Sequence, residues 1–354
     1  MTPETNHRMP SATPPSNEAG ELPQPYLLFL GDIVEPGYAK TAFGLRDWAP
    51  ERCVGEFACD GAKVSAGLAP MTPEQARSAG ARSMVIGVAN PGGLIPDGWL
   101  PGLLQALEAG LDLVGGMHAR LHEIAVLRES AARLGRRLVD VREPPRGIPV
   151  ASGRKRSGKR LLTVGTDCAL GKKYTALVLA RAFERRGLDV DFRATGQTGI
   201  LIAGRGIPLD AVVCDFAAGA AEALSPAAGA QHWDVIEGQG SLMHPAYAGV
   251  SLALLHGSQP DVIVVCHEHG REHVLGYPGL LLPSIEETID LALRLGRRTN
   301  PSIRCAGVSL NTAALDPAHA QRVIAAESER LGCAVADPMR GGLALDRLVE
   351  ECLA

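Results

Sequence analysis

The residues best suited to chemistry in this sequence form a glycine-bounded loop that ends in two lysines: Gly165, Thr166, Asp167, Cys168, Ala169, Leu170, Gly171, Lys172, Lys173 and Tyr174. Glycines at both ends let successive backbone N–H groups turn toward one anion. A helix after the loop adds its positive N-terminal end, and a lysine at the loop's exit reaches the outer oxygens of a phosphate. The stretch is therefore expected to cradle a phosphate-bearing ligand, with Lys172 as the fixed charge. Its spacing departs from the common pattern. A standard P-loop has four residues between its glycines, whereas five lie between Gly165 and Gly171, and Lys173 stands where a Mg²⁺-binding Ser or Thr would be. An ammonium at that place repels a divalent cation. Thr175 lies almost a full helical turn beyond Lys172 and is expected to point away from the loop's mouth.

Further candidates stand at the ends of apolar runs. Glu237 closes Trp233-Asp-Val-Ile236 ahead of a Gly-rich turn, where P-loop folds keep the acid that orders Mg²⁺ or water. Asp215 sits where Ala211-Val-Val-Cys214 runs into a helical pattern, and Gln197 belongs to the small polar residues after Val190-Asp-Phe-Arg193. His267, His269 and His273 follow the run Asp261–Cys266, and such a set could ligate Zn²⁺. No Cys or carboxylate completes the spacing, so no metal is assigned, and the histidines read as a polar loop that contacts a ligand.

These residues need a scaffold, and the pattern supplies one. Apolar runs begin at Tyr26, Cys53, Ser83, Leu111 and Arg137, with helical stretches such as 98–109 and 121–134 between them. A second series runs from Leu161 through Val190, Ala211, Trp233 and Asp261 to Ile303, and a Ser-x-x-Glu capping box (Ser284, Glu287) opens a later helix. Strands alternating with helices imply parallel sheets covered on both faces. The fold class is α/β, two doubly wound parallel-sheet domains, Rossmann-like N-terminal and P-loop NTPase-like C-terminal. The expected division is a disordered Pro-rich tail over 1–24, a first domain over 25–145, a linker over 146–159 and a second domain over 160–354. In the first domain, Lys40-Thr41, Asn90-Pro-Gly-Gly93 and Gly115-Gly-Met-His118 fall at strand ends. No G-x-G-x-x-G follows the first strand, so a dinucleotide site is not supported. These segments read first as structural or lid elements, and secondly as ligand contacts through His118 or Lys40. The basic run Arg154–Arg160 reads as a solvated connector, with Arg154 or Lys159 folding onto a phosphate as the alternative.

Composition excludes several classes. A net charge of −4 gives no basic field for nucleic acid. The eight cysteines are scattered without a C-x-x-C pair, as expected for thiols in a reducing compartment. No apolar run approaches the roughly 18 residues of a membrane span, and the N-terminus has no signal-peptide pattern. A cytoplasmic protein, with no nucleic-acid or membrane partner, is expected.

The loop, Ile236-Glu237-Gly238 and Gly307-Val-Ser-Leu-Asn311 resemble the dethiobiotin synthetase branch of P-loop proteins, departing from it at Lys173, where those enzymes have Thr. That resemblance implies that Asn311 faces adenine and that Glu237 helps bind metal. A longer and ordered set covers nearly the whole chain: Pro91-Gly-Gly, Gly110–His118, the loop, Thr195-Gly-Gln-Thr-Gly199, Glu237–Tyr247 and Leu255–Asp261. It resembles the D-glutamate N-acetyltransferase family, whose members pair a Rossmann-like domain with a P-loop domain.

This second resemblance implies acetyl transfer from acetyl-CoA to the amino group of D-glutamate or a related small acidic amino acid. A P-loop can grip the phosphates of coenzyme A without Mg²⁺, and Lys173 then favours a highly anionic ligand. The chemistry needs a base for the amine and donors for the oxyanion. Asp215, Glu237 and His244 are the candidate bases. Gln239, Ser241 and the N–H groups of 238–241 are the candidate donors, with Gln197 and His267 as further acceptor contacts. Two other readings remain open at this point: an ATP/Mg-dependent ligase or kinase of the dethiobiotin synthetase type, and a non-catalytic nucleotide-binding regulator. A homo-oligomer is expected.

Overall fold

The computed structural model describes residues 22–354. Most of the tail expected over 1–24 lies outside the described residues. Its last residues are docked: Leu22 is buried, and Pro23 O accepts from Ser83 Oγ at 2.6 Å.

The first domain is a five-stranded parallel sheet of β1 (Tyr26–Phe29), β2 (Cys53–Phe57), β3 (Ser83–Ile86), β4 (Asp112–Gly115) and β5 (Leu138–Asp140), in the order β2-β1-β3-β4-β5. Its helices are α1 (Lys40–Trp48), α2 (Pro73–Ser78), α3 (Leu100–Glu108) and α4 (Ala125–Leu134). The strands β1 and β3 are buried along their whole length, so their apolar runs show no alternation.

The second domain is built on β6 (Lys159–Gly165), β7 (Val190–Arg193), β8 (Trp233–Ile236), β9 (Val262–Glu268), β12 (Arg304–Asn311) and β13 (Ala334–Ala336). They form a six-stranded parallel sheet in the order β13-β12-β9-β6-β8-β7. Between β9 and β12, β10 (His273–Val274) and β11 (Tyr277–Leu281) form a separate antiparallel hairpin. The helices are α5 (Lys172–Arg185), α6 (Gln197–Ala203), α7 (Cys214–Leu224), α8 (Ala248–Ser258), α9 (Ile285–Gly296), α10 (Pro317–Leu331) and α11 (Gly342–Leu353). The central position of β6 places the loop after it at the middle of the sheet's carboxyl edge. As expected, Ser284 and Glu287 form a capping box on α9.

Two expectations are corrected. Residues 211–213 are not a strand, because Pro208 starts a short 3-10 turn over Leu209–Ala211 and the chain then enters α7 directly. The basic run is not simply a solvated connector. Arg156 and the fully buried Arg160 donate to carbonyls at the end of α7, including Ser225 O, and Lys159 Nζ lies 5.3 Å from the Trp233 ring. Lys159 opens β6 and so stands at the strand end opposite the loop.

The domains share a core. Leu177 of α5 and Ile200, Leu201 and Ile202 of α6 pack into the same apolar cluster as Leu45 and Trp48 of α1. Arg181 Nη2 donates to Trp48 O at 2.6 Å, Arg52 Nη1 to Ile202 O at 2.7 Å, and the Trp48 and Tyr174 rings stack at 5.9 Å. Helix α1 thereby fixes the first domain against the first turn of α5, beside the phosphate loop. Among the described residues, no helix is long and apolar enough to cross a membrane.

Candidate functional site

The loop from Gly165 to Gly171 is curled by Ala169 at φ 56° and Gly171 at φ 106°. Its centre is Asp167, fully buried, whose carboxylate serves as an internal anchor. Oδ2 accepts from Leu275 N at 2.8 Å and Arg271 Nη1 at 3.1 Å, and Oδ1 accepts from Cys168 N at 2.6 Å. The hairpin β10–β11 is thereby tied to the loop. Lys172 Nζ donates to Asp167 O at 2.7 Å, so the buried ammonium spans the loop, and burial lowers its pKa. The hydroxyl of Thr175 faces Ser309 Oγ of β12 at 2.7 Å, on the buried side of α5 and away from the loop's mouth.

Glu237, at the end of β8, is buried beside the loop. Its Oε2 accepts from Thr195 N at 2.9 Å and Gly196 N at 3.1 Å, and Thr195 Oγ1 donates back to Glu237 O at 2.8 Å. Burial raises the carboxyl pKa, opposed by Lys173 and by the two N–H donors. Only glycine fits next to it at Gly238, where a Cβ would lie 1.7 Å from Thr163 O. That close approach lets Thr163 Oγ1 accept from Gly238 N at 2.9 Å and fixes β8 against β6.

A cavity of about 450 Å³ opens over these groups. Its floor is the loop from Cys168 to Tyr174, its wall is Glu237–Gly240 with Asn311, and Lys40 of the first domain closes its rim. Burial lowers the Lys173 ammonium, opposed by Glu237 and reinforced by Lys40.

The remaining candidates divide into supports and outliers. Gly165, Thr166 and Asp167 lie beneath the cavity: Thr166 Oγ1 meets His267 Nδ1 at 3.0 Å, and Ser241 Oγ donates to Thr166 O at 3.1 Å. His267, its pKa lowered by burial, and Ser241 thus hold the loop from below. His244 is buried, with Nδ1 accepting from Ala246 N at 3.1 Å, which leaves its Nε2–H 3.7 Å from Asp167 Oδ1. Gln239 Nε2 donates to Thr195 Oγ1 at 3.0 Å. Gln197 opens α6 rather than extending a strand, and it packs on Gly116 of the first domain, where a Cβ would lie 2.3 Å from its Oε1. Asp215 is exposed in the first turn of α7 and does not line the cavity. The three histidines of the loop after β9 do not converge: His267 goes to Thr166, His269 lies near the His319 ring, and His273 is exposed on β10.

Sequence reasoning missed Arg271 and Tyr277. The Tyr277 ring stands edge-on to His244 at 5.4 Å, and Arg271 also donates to Cys168 O at 2.9 Å. The available signal was Glu268-x-x-Arg271 with Gly270 just after an apolar strand, a spacing that pairs the two side chains across a turn.

The chain matches two family profiles, one described as a domain of unknown function (DUF1611) Rossmann-like domain over residues 51–144 and the other as the DUF1611 P-loop domain over residues 149–349. It is 48% identical over 330 residues to a protein of Tritonibacter scottomollicae named D-glutamate N-acetyltransferase, an alignment covering 93% of this chain and 98% of that one. A Pseudoalteromonas protein of the same name is 45% identical over 323 residues, with 91% and 97% covered. The crystal structure of a DUF1611 family protein from Anabaena variabilis matches with a TM-score of 0.82 and 34% identity, covering 93% of this chain and 99% of that one.

Proposed function

This chain belongs to the DUF1611 family and is an N-acetyltransferase, and from that premise we propose that it moves an acetyl group from acetyl-CoA to the amino group of D-glutamate or a related small acidic amino acid. The observation that carries the reading is the meeting of the phosphate loop and the strand-end acid in one cavity, with Lys173 rather than a hydroxyl after Lys172. The loop N–H groups, Lys172 and Asn311 hold the nucleotide end of coenzyme A, whose thioester supplies the acetyl group. Glu237 is the base. Its raised pKa suits it to take a proton from an ammonium, since a carboxyl held by burial is a stronger base than a free one. As the amine's C–N bond forms, the thioester C–S bond breaks. Of the two protons that the ammonium loses on becoming an amide N–H, Glu237 takes the first and releases it to solvent, then takes the second as the C–N bond forms and delivers it to the departing thiolate, which leaves as free thiol. Gln239 and the N–H groups of 238–241 are the donors for the oxyanion.

Other candidates take supporting parts. Asp215 is set aside as a base because it is exposed and off the cavity. His244 spends Nδ1 on backbone N–H groups and its other nitrogen toward Asp167, so it acts by holding the loop. The ATP/Mg-dependent ligase reading is disfavoured because Thr175, the first Ser or Thr hydroxyl in sequence after Lys172, is engaged with Ser309.

Calorimetric titration of coenzyme A and of Mg·ATP into the wild type and Lys172→Met tests this. Coenzyme A should bind the wild type and lose about tenfold or more in affinity on loss of the charge-assisted contact. Binding of Mg·ATP alone would overturn the assignment.

A further inference from the structure

Three ammonium groups but only one carboxyl line the cavity among the described residues: Lys40, Lys172 and Lys173 against Glu237. Lys172 is committed to the loop through Asp167 O. The other two make no ion pair or hydrogen bond among the described residues. Lys173 Nζ instead rests 4.6 Å from the centroid of the Tyr174 ring and faces α1, lying 3.8 Å from where a Cβ on Gly44 would be. Lys40 is the first residue of α1, whose N-cap, Ala39, provides no side-chain cap, so the helix's positive end adds to the same region. Thr41, next to Lys40, is joined to Thr198 of the second domain by a hydroxyl pair at 3.1 Å, which fixes the relation of α1 to α6.

Two unpaired cations at one rim of a cavity repel each other and favour an anion between them. The loop's N–H groups and Lys172 already form a cradle on the loop side, whereas the Lys40/Lys173 pair lies on the side of the first domain, next to Glu237. Resting on the transferase reading above, we propose that Lys40 and Lys173 form a carboxylate subsite for the acceptor, so that the first domain selects acidic over amide acceptors. An amino acid whose amine meets Glu237 then has its side-chain carboxylate held by the pair. A neutral amide at that place leaves the two ammoniums with only Glu237 to balance them, which is the basis of the selection.

The test uses glutarate, a dicarboxylate without an amine, together with full kinetics. Calorimetry with glutarate and steady-state rates with D-glutamate, D-glutamine and acetyl-CoA are measured for the wild type, Lys40→Gln and Lys40→Arg. Lys40 is exposed, so these variants should fold. Lys40→Gln should weaken glutarate binding and raise the KM for D-glutamate by about tenfold, the loss expected for one charge-assisted contact. It should leave the KM for acetyl-CoA unchanged and narrow the preference for D-glutamate over D-glutamine, and Lys40→Arg should restore most of the loss. A raised KM for acetyl-CoA instead would mean that the pair holds a cofactor phosphate and would overturn the inference, as would unchanged values throughout. Wild-type protein that binds glutarate through Lys40 yet forms no amide would keep the subsite and remove the transferase reading.

Discussion

Asp167 offers the sharpest test of how the loop is held. Its carboxylate is fully buried and accepts from Arg271, Leu275 N and Cys168 N, so Asp167→Asn keeps the shape but turns one acceptor oxygen into a donor. Whichever way the amide is oriented, its NH₂ faces an existing donor: Arg271 and Leu275 N on one side, Cys168 N and the His244 Nε2–H on the other. Removing one partner of a buried, hydrogen-bonded charge costs about 3–5 kcal/mol. Arg271 keeps Glu268 as a partner and its side chain is 18% exposed, which puts the expected loss at the low end, about 3 kcal/mol. For a chain of 354 residues, at about 2.1 cal/mol/K of unfolding entropy per residue, that is a fall in Tm of roughly 4 °C. Thermal unfolding followed by circular dichroism reads it, and a double-mutant cycle with Arg271→Leu should return a coupling of about 1 kcal/mol or more. Coenzyme A affinity should fall with it, because the loop's curl depends on the anchor. An unchanged Tm with unchanged affinity would show that the loop holds its shape without the Asp167 anchor.

Two further outcomes follow from Glu237. Burial raises its carboxyl pKa, so kcat/KM should fall with decreasing pH through a value above the ordinary carboxylate range, and Glu237→Gln should lose both this acid limb and most of the rate. The folded state also holds that proton where unfolded Glu has already lost it, so wild-type stability declines as pH rises through the raised pKa. The Tm of Glu237→Gln relative to wild type should therefore increase with pH, and a gap independent of pH would contradict the buried, perturbed carboxyl. Gly199→Ala puts a methyl carbon 2.2 Å from Glu237 Oε2 and should reduce kcat while leaving coenzyme A affinity in place; unchanged turnover would show that the position of Glu237 is not critical.

The fold was readable where one local rule dominated. Glycines, a preceding buried strand and a lysine at the exit define the loop from Gly165 to Lys172 because each acts on its immediate neighbours. Glu237 was readable as the end of an apolar run before glycine. Ala211–Val213 misled because two adjacent valines look like a strand, yet Val213 is 68% exposed and the preceding Pro208 favours a turn. The assignment of Asp215 to the site failed with that strand. The hairpin β10–β11 carries no alternation of polar and apolar residues, since all five residues of β11 are exposed. The tie between Asp167 and Arg271 spans 104 positions, and the approach of Lys40 to Lys173 depends on how α1 docks on α5. Neither leaves a periodic trace, because both arise from packing between elements.

In the proposed reaction the phosphate loop and the strand-end acid serve acetyl transfer and not nucleotide hydrolysis. Incubating the full chain with acetyl-CoA and D-glutamate in excess EDTA, and following free thiol and the N-acetylated product together, separates the two. Turnover should persist in EDTA, with thiol released in proportion to the amide formed, and should be lost in Glu237→Gln. Product that forms only with both ATP and Mg²⁺, with no thiol released, would contradict the proposed reaction.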